Sequence, residues 1–131
     1  MKKFKKKLEN MQLKLLNEEF AVCKLARAEQ VPWEAQFVFV GKTDEELSLV
    51  CPVESVPMEC LQQERGWRCF RVEGPLNFTL VGILSKITGV LAERQIPVFA
   101  VSTFDTDYLL VRTDHLCQAR KALELAGYTF V

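Results

Sequence analysis

In the second half of the chain, apolar residues switch between a period of two and a period near 3.6, and the switches mark out elements. Arg68 to Glu73 alternates through Cys69-Phe70-Arg71-Val72, which predicts a strand ended by Gly74-Pro75. Ile83, Leu84, Ile87, Val90 and Leu91 recur at helical spacing and give one apolar face. Val98 to Phe104 and Tyr108 to Val111 are β-branched and aromatic, hence strands. Only Asp105-Thr106-Asp107 separates them, so they form an antiparallel hairpin. Asp114 is placed as a helix N-cap, Leu116, Ala119, Leu123 and Ala126 follow on one face, and Gly127 is the stop. Tyr128 to Val131 makes a last short strand. The order β-α-β-β-α-β is the ferredoxin-like arrangement.

The first half is a partial copy at an offset of 61. Val50 falls on Val111, Leu49 on Leu110, Val40 on Val101, Asp44 on Asp105 and Gly66 on Gly127. Pro52 and Pro57 shorten the helix of this copy to about Met58 to Glu64. Between the strand Phe20 to Leu25 and Phe37 there is no helical pattern, so the first helix is reduced to a loop. Arg68 to Val72 is needed as the last strand of the first unit and the first strand of the second. Met11 to Leu16, where Met11, Leu13 and Leu15 alternate with polar residues, is a spare candidate. The expectation is an α+β protein of two βαββαβ units packed together with a shared or exchanged strand. Its divisions are a basic lead-in at 1–10, a reduced first unit at 11–66 and a complete second unit at 67–131.

Composition narrows the function. The 131 residues are 49% hydrophobic, ample for packed cores. Seventeen basic residues balance 17 acidic ones, without the basic excess of a nucleic-acid binder. Lys2, Lys3, Lys5, Lys6 and Lys7 concentrate positive charge at the start, where Phe4 and Leu8 are too few to anchor a membrane-surface helix. No run of about 18 apolar residues is present and no apolar stretch follows the basic start, so no membrane contact and a cytoplasmic location are expected. Cys23, Cys51, Cys60, Cys69 and Cys117 are odd in number and form no C-x-x-C pair, which predicts reduced core thiols. With His115 the only histidine, no metal and no cofactor is expected.

The runs Glu73-Gly74-Pro75-Leu76, Val81-Gly82-Ile83-Leu84 and Ile96 to Val111, above all Ser102-Thr103-Phe104-Asp105-Thr106-Asp107-Tyr108, resemble the ACT domain. The run Thr43 to Pro52 matches the first unit of the same group, the small stand-alone tandem-ACT proteins similar to aspartate kinase regulatory domains and the CASTOR arginine sensors. The resemblance covers about residues 18–131. It implies a regulatory module that binds an amino acid or similar small metabolite between two units.

An amino acid needs N–H donors for its carboxylate and a carboxylate for its ammonium. The resemblance implies Gly82 and Ile83, at the opening of the first helix from Asn77 on, for the former. It implies Asp107 for the latter, with Thr103 and Thr106 as supporting oxygens. Phe104 is a pocket wall or core. Ser48 and Leu49 are an opposing wall by resemblance, or core strand residues. Gly82 serves equally as a helix-opening turn, and Asp105 and Asp107 as plain turn residues. His115 has no evident nucleophile, Asp105/Asp107 lack the remaining ligands of a calcium loop, and no phosphate loop or nucleophile elbow is present, so an enzyme is not expected. Two functions compete: a ligand sensor acting on a regulated protein, and a ligand-free assembly module acting through protein contacts or a homodimer.

Overall fold

The computed structural model describes residues 11–73 and 82–131. The elements are β1 (Gln12–Leu25), β2 (Phe39–Lys42), β3 (Leu47–Pro52), β4 (Gln62–Val72), α1 (Ile83–Glu93), β5 (Val98–Ser102), β6 (Asp107–Arg112), α2 (Leu116–Leu125) and β7 (Thr129–Phe130). They form two compact units, one of 17–67 and one of 11–16 with 68–131. Both boundaries fall inside a strand, at Leu16/Asn17 in β1 and Trp67/Arg68 in β4. These are the shared strands that the strand count called for. Relative to the expected division at 66/67, Trp67 and residues 11–16 change sides, the latter because β7 pairs in parallel with β1 through Gln12↔Thr129 and Leu13↔Phe130.

Two expected strands prove to be parts of longer ones. Met11 to Leu16 and Phe20 to Leu25 are one strand, β1. Asn17, Glu18 and Glu19 interrupt the alternation, but an extended backbone tolerates polar side chains. Arg68 to Glu73 is the end of β4, which begins at Gln62.

The unit of 11–16 and 68–131 runs β4-α1-β5-β6-α2-β7. β5 and β6 pair antiparallel, Val98 opposite Val111 and Ser102 opposite Asp107. Helix α1 buries Ile83, Ile87 and Leu91, one face at i, i+4, i+8. They pack with Leu13, Phe70, Val72, Leu109, Val111, Ala119 and Leu123. Phe70 meets Phe130 edge-on at 5.3 Å, and Arg120 lies 4.8 Å over the Phe130 ring. Helix α2 differs from expectation at its start. A 3-10 turn, Thr113–His115, precedes it, Asp114 lies inside that turn, and no side chain caps the helix. The turn's own N–H to Thr113 bond closes the chain where a cap would otherwise act.

The unit of 17–67 has no α-helix among its residues. The helix expected over about Met58 to Glu64 is absent. Pro52 and Pro57 remove N–H donors on either side of a 3-10 turn at Val53–Ser55, and from Gln62 the chain joins β4. β3 pairs antiparallel with β1 (Lys24↔Ser48, Cys23↔Leu49, Ala21↔Cys51) and with β2 (Phe39↔Val50). The core of Ala21, Cys23, Leu25, Leu49 and Cys51 is covered by loop residues Val31, Val53 and Val56. Gln30 holds these loops: its Oε1 accepts from the Ala26 and Arg27 N–H groups at 3.1 Å, and its Nε2 donates to the Glu59 carbonyl at 3.2 Å.

The internal repeat is real, but its offset in the hairpins is 60. β2 maps onto 99–102, β3 (Leu47–Pro52) onto β6 (Asp107–Arg112), and the 3-10 turn Val53–Ser55 onto Thr113–His115. An offset of 61 would place every hairpin side chain on the wrong face. Only after the 3-10 turn does 61 hold: Gly66 and Gly127 both have positive φ, 87° and 105°.

Candidate functional site

The β5–β6 turn is built on hydroxyls. Thr103 N–H donates to the Thr106 carbonyl at 2.8 Å, the Thr103 hydroxyl donates to the same carbonyl at 3.0 Å, and Thr106 N–H donates back to that hydroxyl at 3.4 Å. The Ser102 hydroxyl donates to Asp107 Oδ1 at 2.6 Å and orients the carboxylate. The Thr106 hydroxyl donates to the Val72 carbonyl at 2.6 Å, pinning the turn to the end of β4. Beside it Arg71 pairs with Glu73 at 3.1 Å. The Glu73 carboxylate, with the Tyr108 hydroxyl adding to it, pushes the Arg71 guanidinium further above its usual range.

The β2–β3 turn repeats this design. Thr43 N–H donates to the Glu46 carbonyl at 2.9 Å, and the Thr43 hydroxyl accepts from the Glu45 and Glu46 N–H groups at 3.1 Å. The Ser48 hydroxyl donates to Glu46 Oε1 at 2.8 Å, a second serine–carboxylate pair, though not at the positions that Ser102 and Asp107 hold in the repeat. On this unit the residues border a cleft of about 620 Å³, lined by Val22, Cys23, Lys24, Glu46, Ser48 and Gln62 to Glu64. That volume lies inside the roughly 300–1,000 Å³ of small-molecule sites. Lys24 and Ser48 are direct cross-strand partners and so share a face. Among the described residues Lys24, Glu46 and Glu64 belong to no ion pair. The cleft thus offers an ammonium, carboxylates and a hydroxyl to a ligand.

The expected site residues distribute as follows. Thr103, Phe104, Thr106 and Asp107 come together in the β5–β6 turn, where Phe104 is exposed over 85% of its surface and is not a core residue. Gly82 and Ile83 open α1 in the same unit. Gly82 has φ +80° with nothing within 4 Å of a Cβ, so its helix-opening turn accounts for the glycine. The Ile83 side chain is buried in the core, and so is Leu49, in the other unit, at 0% exposure, so neither side chain lines a pocket wall. Ser48, next to Leu49 in β3, points to the opposite face and lines the cleft. Asn77 to Val81 lie outside the described residues. Lys24 and Glu46 were missed: Glu46 reads as a solvated turn residue, and only the pairing of β1 with β3 sets Lys24 beside Ser48. The repeat, taken at offset 60, was the available signal, since it aligns Thr43 with Thr103.

Fold and turns define one ferredoxin-like unit and a second, helix-free unit whose hairpin repeats its threonine-closed turn. Residues 62–124 match the family model of the ACT domain, and 18–59 match a second model described as an N-terminal domain. A crystallised protein from Agobacterium tumefaciens is 33% identical with a TM-score of 0.83, covering 93% of this chain and 92% of that one. The chain belongs to the ACT domain family. The human cytosolic arginine sensor for mTORC1 subunit 1 is 37% identical over 59 residues, 44% of this chain and 18% of the sensor. The chain therefore matches less than a fifth of that curated relative. The ligand-free regulatory subunit of aspartate kinase from Thermus thermophilus shares the fold, with TM-score 0.62 at 8% identity, over 87% of this chain and 96% of that subunit.

Among the described residues no helix is long and apolar enough to cross a membrane, and no group of three or more His, Cys, Asp or Glu is arranged to hold a metal ion.

Proposed function

We propose that the protein is a regulatory module that binds a zwitterionic small molecule, of the amino-acid class, without transforming it. The observation that carries this is the cleft of the 17–67 unit, where Lys24 lies across from Ser48 and Ser48 orients Glu46. Lys24 suits an α-carboxylate and Glu46 an α-ammonium. Asp107, held by Ser102, is a hydroxyl-oriented carboxylate beside the hairpin turn of the other unit. The similarity to an arginine sensor and to aspartate kinase regulatory subunits supports an amino acid as ligand and a regulated protein as partner. The sensor's cytosolic placement supports a cytoplasmic one here.

A thermal-shift screen of the full chain against the twenty amino acids, beside Glu46→Gln and Asp107→Ala, tests this. A ligand at a hundredfold excess over its Kd adds about 2.7 kcal/mol of stability. A shift from one or a few amino acids that either variant abolishes supports the reading. No shift from any of them rejects an amino-acid ligand.

A second reading, an assembly module, draws on exposed apolar side chains, Trp33, Met58 and Leu61 in one unit and Phe104 in the other. Ligand-independent self-association by light scattering, lost in Trp33→Ser or Phe104→Ser, distinguishes it.

A further inference from the structure

Three of the five cysteines gather in the core of the 17–67 unit. Cys51 lies opposite Ala21 and Leu49 opposite Cys23, so Cys23 and Cys51 sit diagonally on one face of neighbouring strands. Cys60 packs on the same cluster from the turn before β4. Leu61 N–H donates to the Lys24 carbonyl at 2.8 Å, which ties the turn carrying Cys60 to β1 directly beside Cys23. Cys23 and Cys51 are buried, whereas Cys60 is partly exposed. A partly exposed thiol thus packs against a core that holds two buried ones. A purely structural core has no need of that juxtaposition. Nothing in the proposed ligand chemistry uses it.

We propose that Cys60 and Cys23 are an oxidation site that forms a reversible disulfide on reaction with a hydroperoxide. The exposed Cys60 sulfur takes one peroxide oxygen as the O–O bond breaks, and water leaves, or an alcohol from an organic peroxide. The Cys23 thiolate attacks the Cys60 sulfur, the S–S bond forms, the S–O bond breaks, and the departing hydroxide takes a proton to become water. Each sulfur gives up one electron, and the two electrons reduce the peroxide.

The electrostatics agree with Cys23 as the attacking sulfur. Hydrogen bonding from Cys51 chiefly lowers its pKa, with Cys60 and the Arg65 charge adding to this against the opposing effect of burial. Cys51, which gives that hydrogen bond and is itself desolvated, is pushed far up and stays protonated. The turn that carries Cys60 is not held within a strand, so it has freedom to reach disulfide geometry that Cys51, at the centre of β3, lacks. The bond would join β1 to the turn leading into β4, two of the strands that line the cleft.

The test is hydrogen peroxide treatment of the reduced full chain, followed by alkylation in denaturant and non-reducing peptide mapping. Exposed Cys117 reports whether the oxidant acted. The expected result is a Cys23–Cys60 cross-linked peptide in the wild type and in Cys51→Ser, reversed by dithiothreitol and absent in Cys60→Ser. Complete alkylation of Cys23 and Cys60 while Cys117 is oxidised overturns the proposal, and so does a Cys23–Cys51 link. The wild type and Cys60→Ser, whose altered side chain is partly exposed, decide the matter even if Cys51→Ser fails to fold.

Discussion

Thr43 and Thr103 occupy the same place in two hairpins 60 residues apart, each N–H donating across the turn, to the Glu46 carbonyl at 2.9 Å and to the Thr106 carbonyl at 2.8 Å. Behind each turn a serine hydroxyl holds a carboxylate, Ser48 to Glu46 and Ser102 to Asp107. The serine is on the second strand in one hairpin and on the first in the other, so the two pairs occupy different positions of the repeat although the threonine turns coincide.

Leu13 is fully buried in a core whose other members begin at Phe70. Leu13→Ala is therefore expected to destabilise the chain by about 2–5 kcal/mol, as a buried leucine does. Deleting residues 1–17 removes Leu13 and the β7 partner together and is expected to abolish cooperative unfolding. A thermal transition unchanged by the deletion would show that the shared strand contributes nothing.

Leu49 and Ser48 are neighbours with opposite expectations. Leu49→Ala opens a cavity in the 17–67 core and is expected to cost about 2–5 kcal/mol. Ser48→Ala removes one exposed hydrogen bond and is expected to cost at most about 1 kcal/mol. Equilibrium denaturation in urea reads both. Equal losses would mean that Ser48 is structural.

Gly82 and Gln95 bracket α1, both with positive φ, 80° and 58°. Gly82→Ala is expected to destabilise by about 1–2 kcal/mol, because an L side chain strains that backbone. Gln95→Gly relieves the same strain and is expected to stabilise by up to about 1 kcal/mol after its own entropy cost. Shifts of the urea midpoint at unchanged slope check the pair.

Burial pushes the Tyr128 hydroxyl above its usual pKa of 10. Above that pH the unfolded chain loses this proton while the folded chain keeps it. The unfolded state then binds fewer protons, so stability falls as pH rises through this range and is fully present below it. Tyr128→Phe is expected to flatten the fall between about pH 9 and pH 11. Identical urea-unfolding profiles for wild type and variant would assign the alkaline loss to other groups.

The linear pattern determined the element types of the second unit, since apolar periodicity and turn residues act through neighbours in sequence. Ile83, Ile87 and Leu91 announce a helix face, and Asp105 to Asp107 announce a hairpin, wherever the chain folds. The repeat was legible too, but its offset was taken one residue too long: the glycines and hydrophobic matches align at 61, whereas hydrogen-bonded register aligns the turns at 60. The helix expected near Met58 failed because the pull of β4 on Gln62 to Glu64 outweighed local propensity. Which side chains share a surface was decided by strand pairing alone. Lys24 and Ser48 are 24 residues apart and meet only through β1 and β3; Cys60 joins the core of Cys23 only through the turn that returns to β1. A one-residue change of register would turn Ser48 inward and Leu49 to the cleft, so the candidate site belongs to the tertiary hydrogen bonds and not to the order of residues.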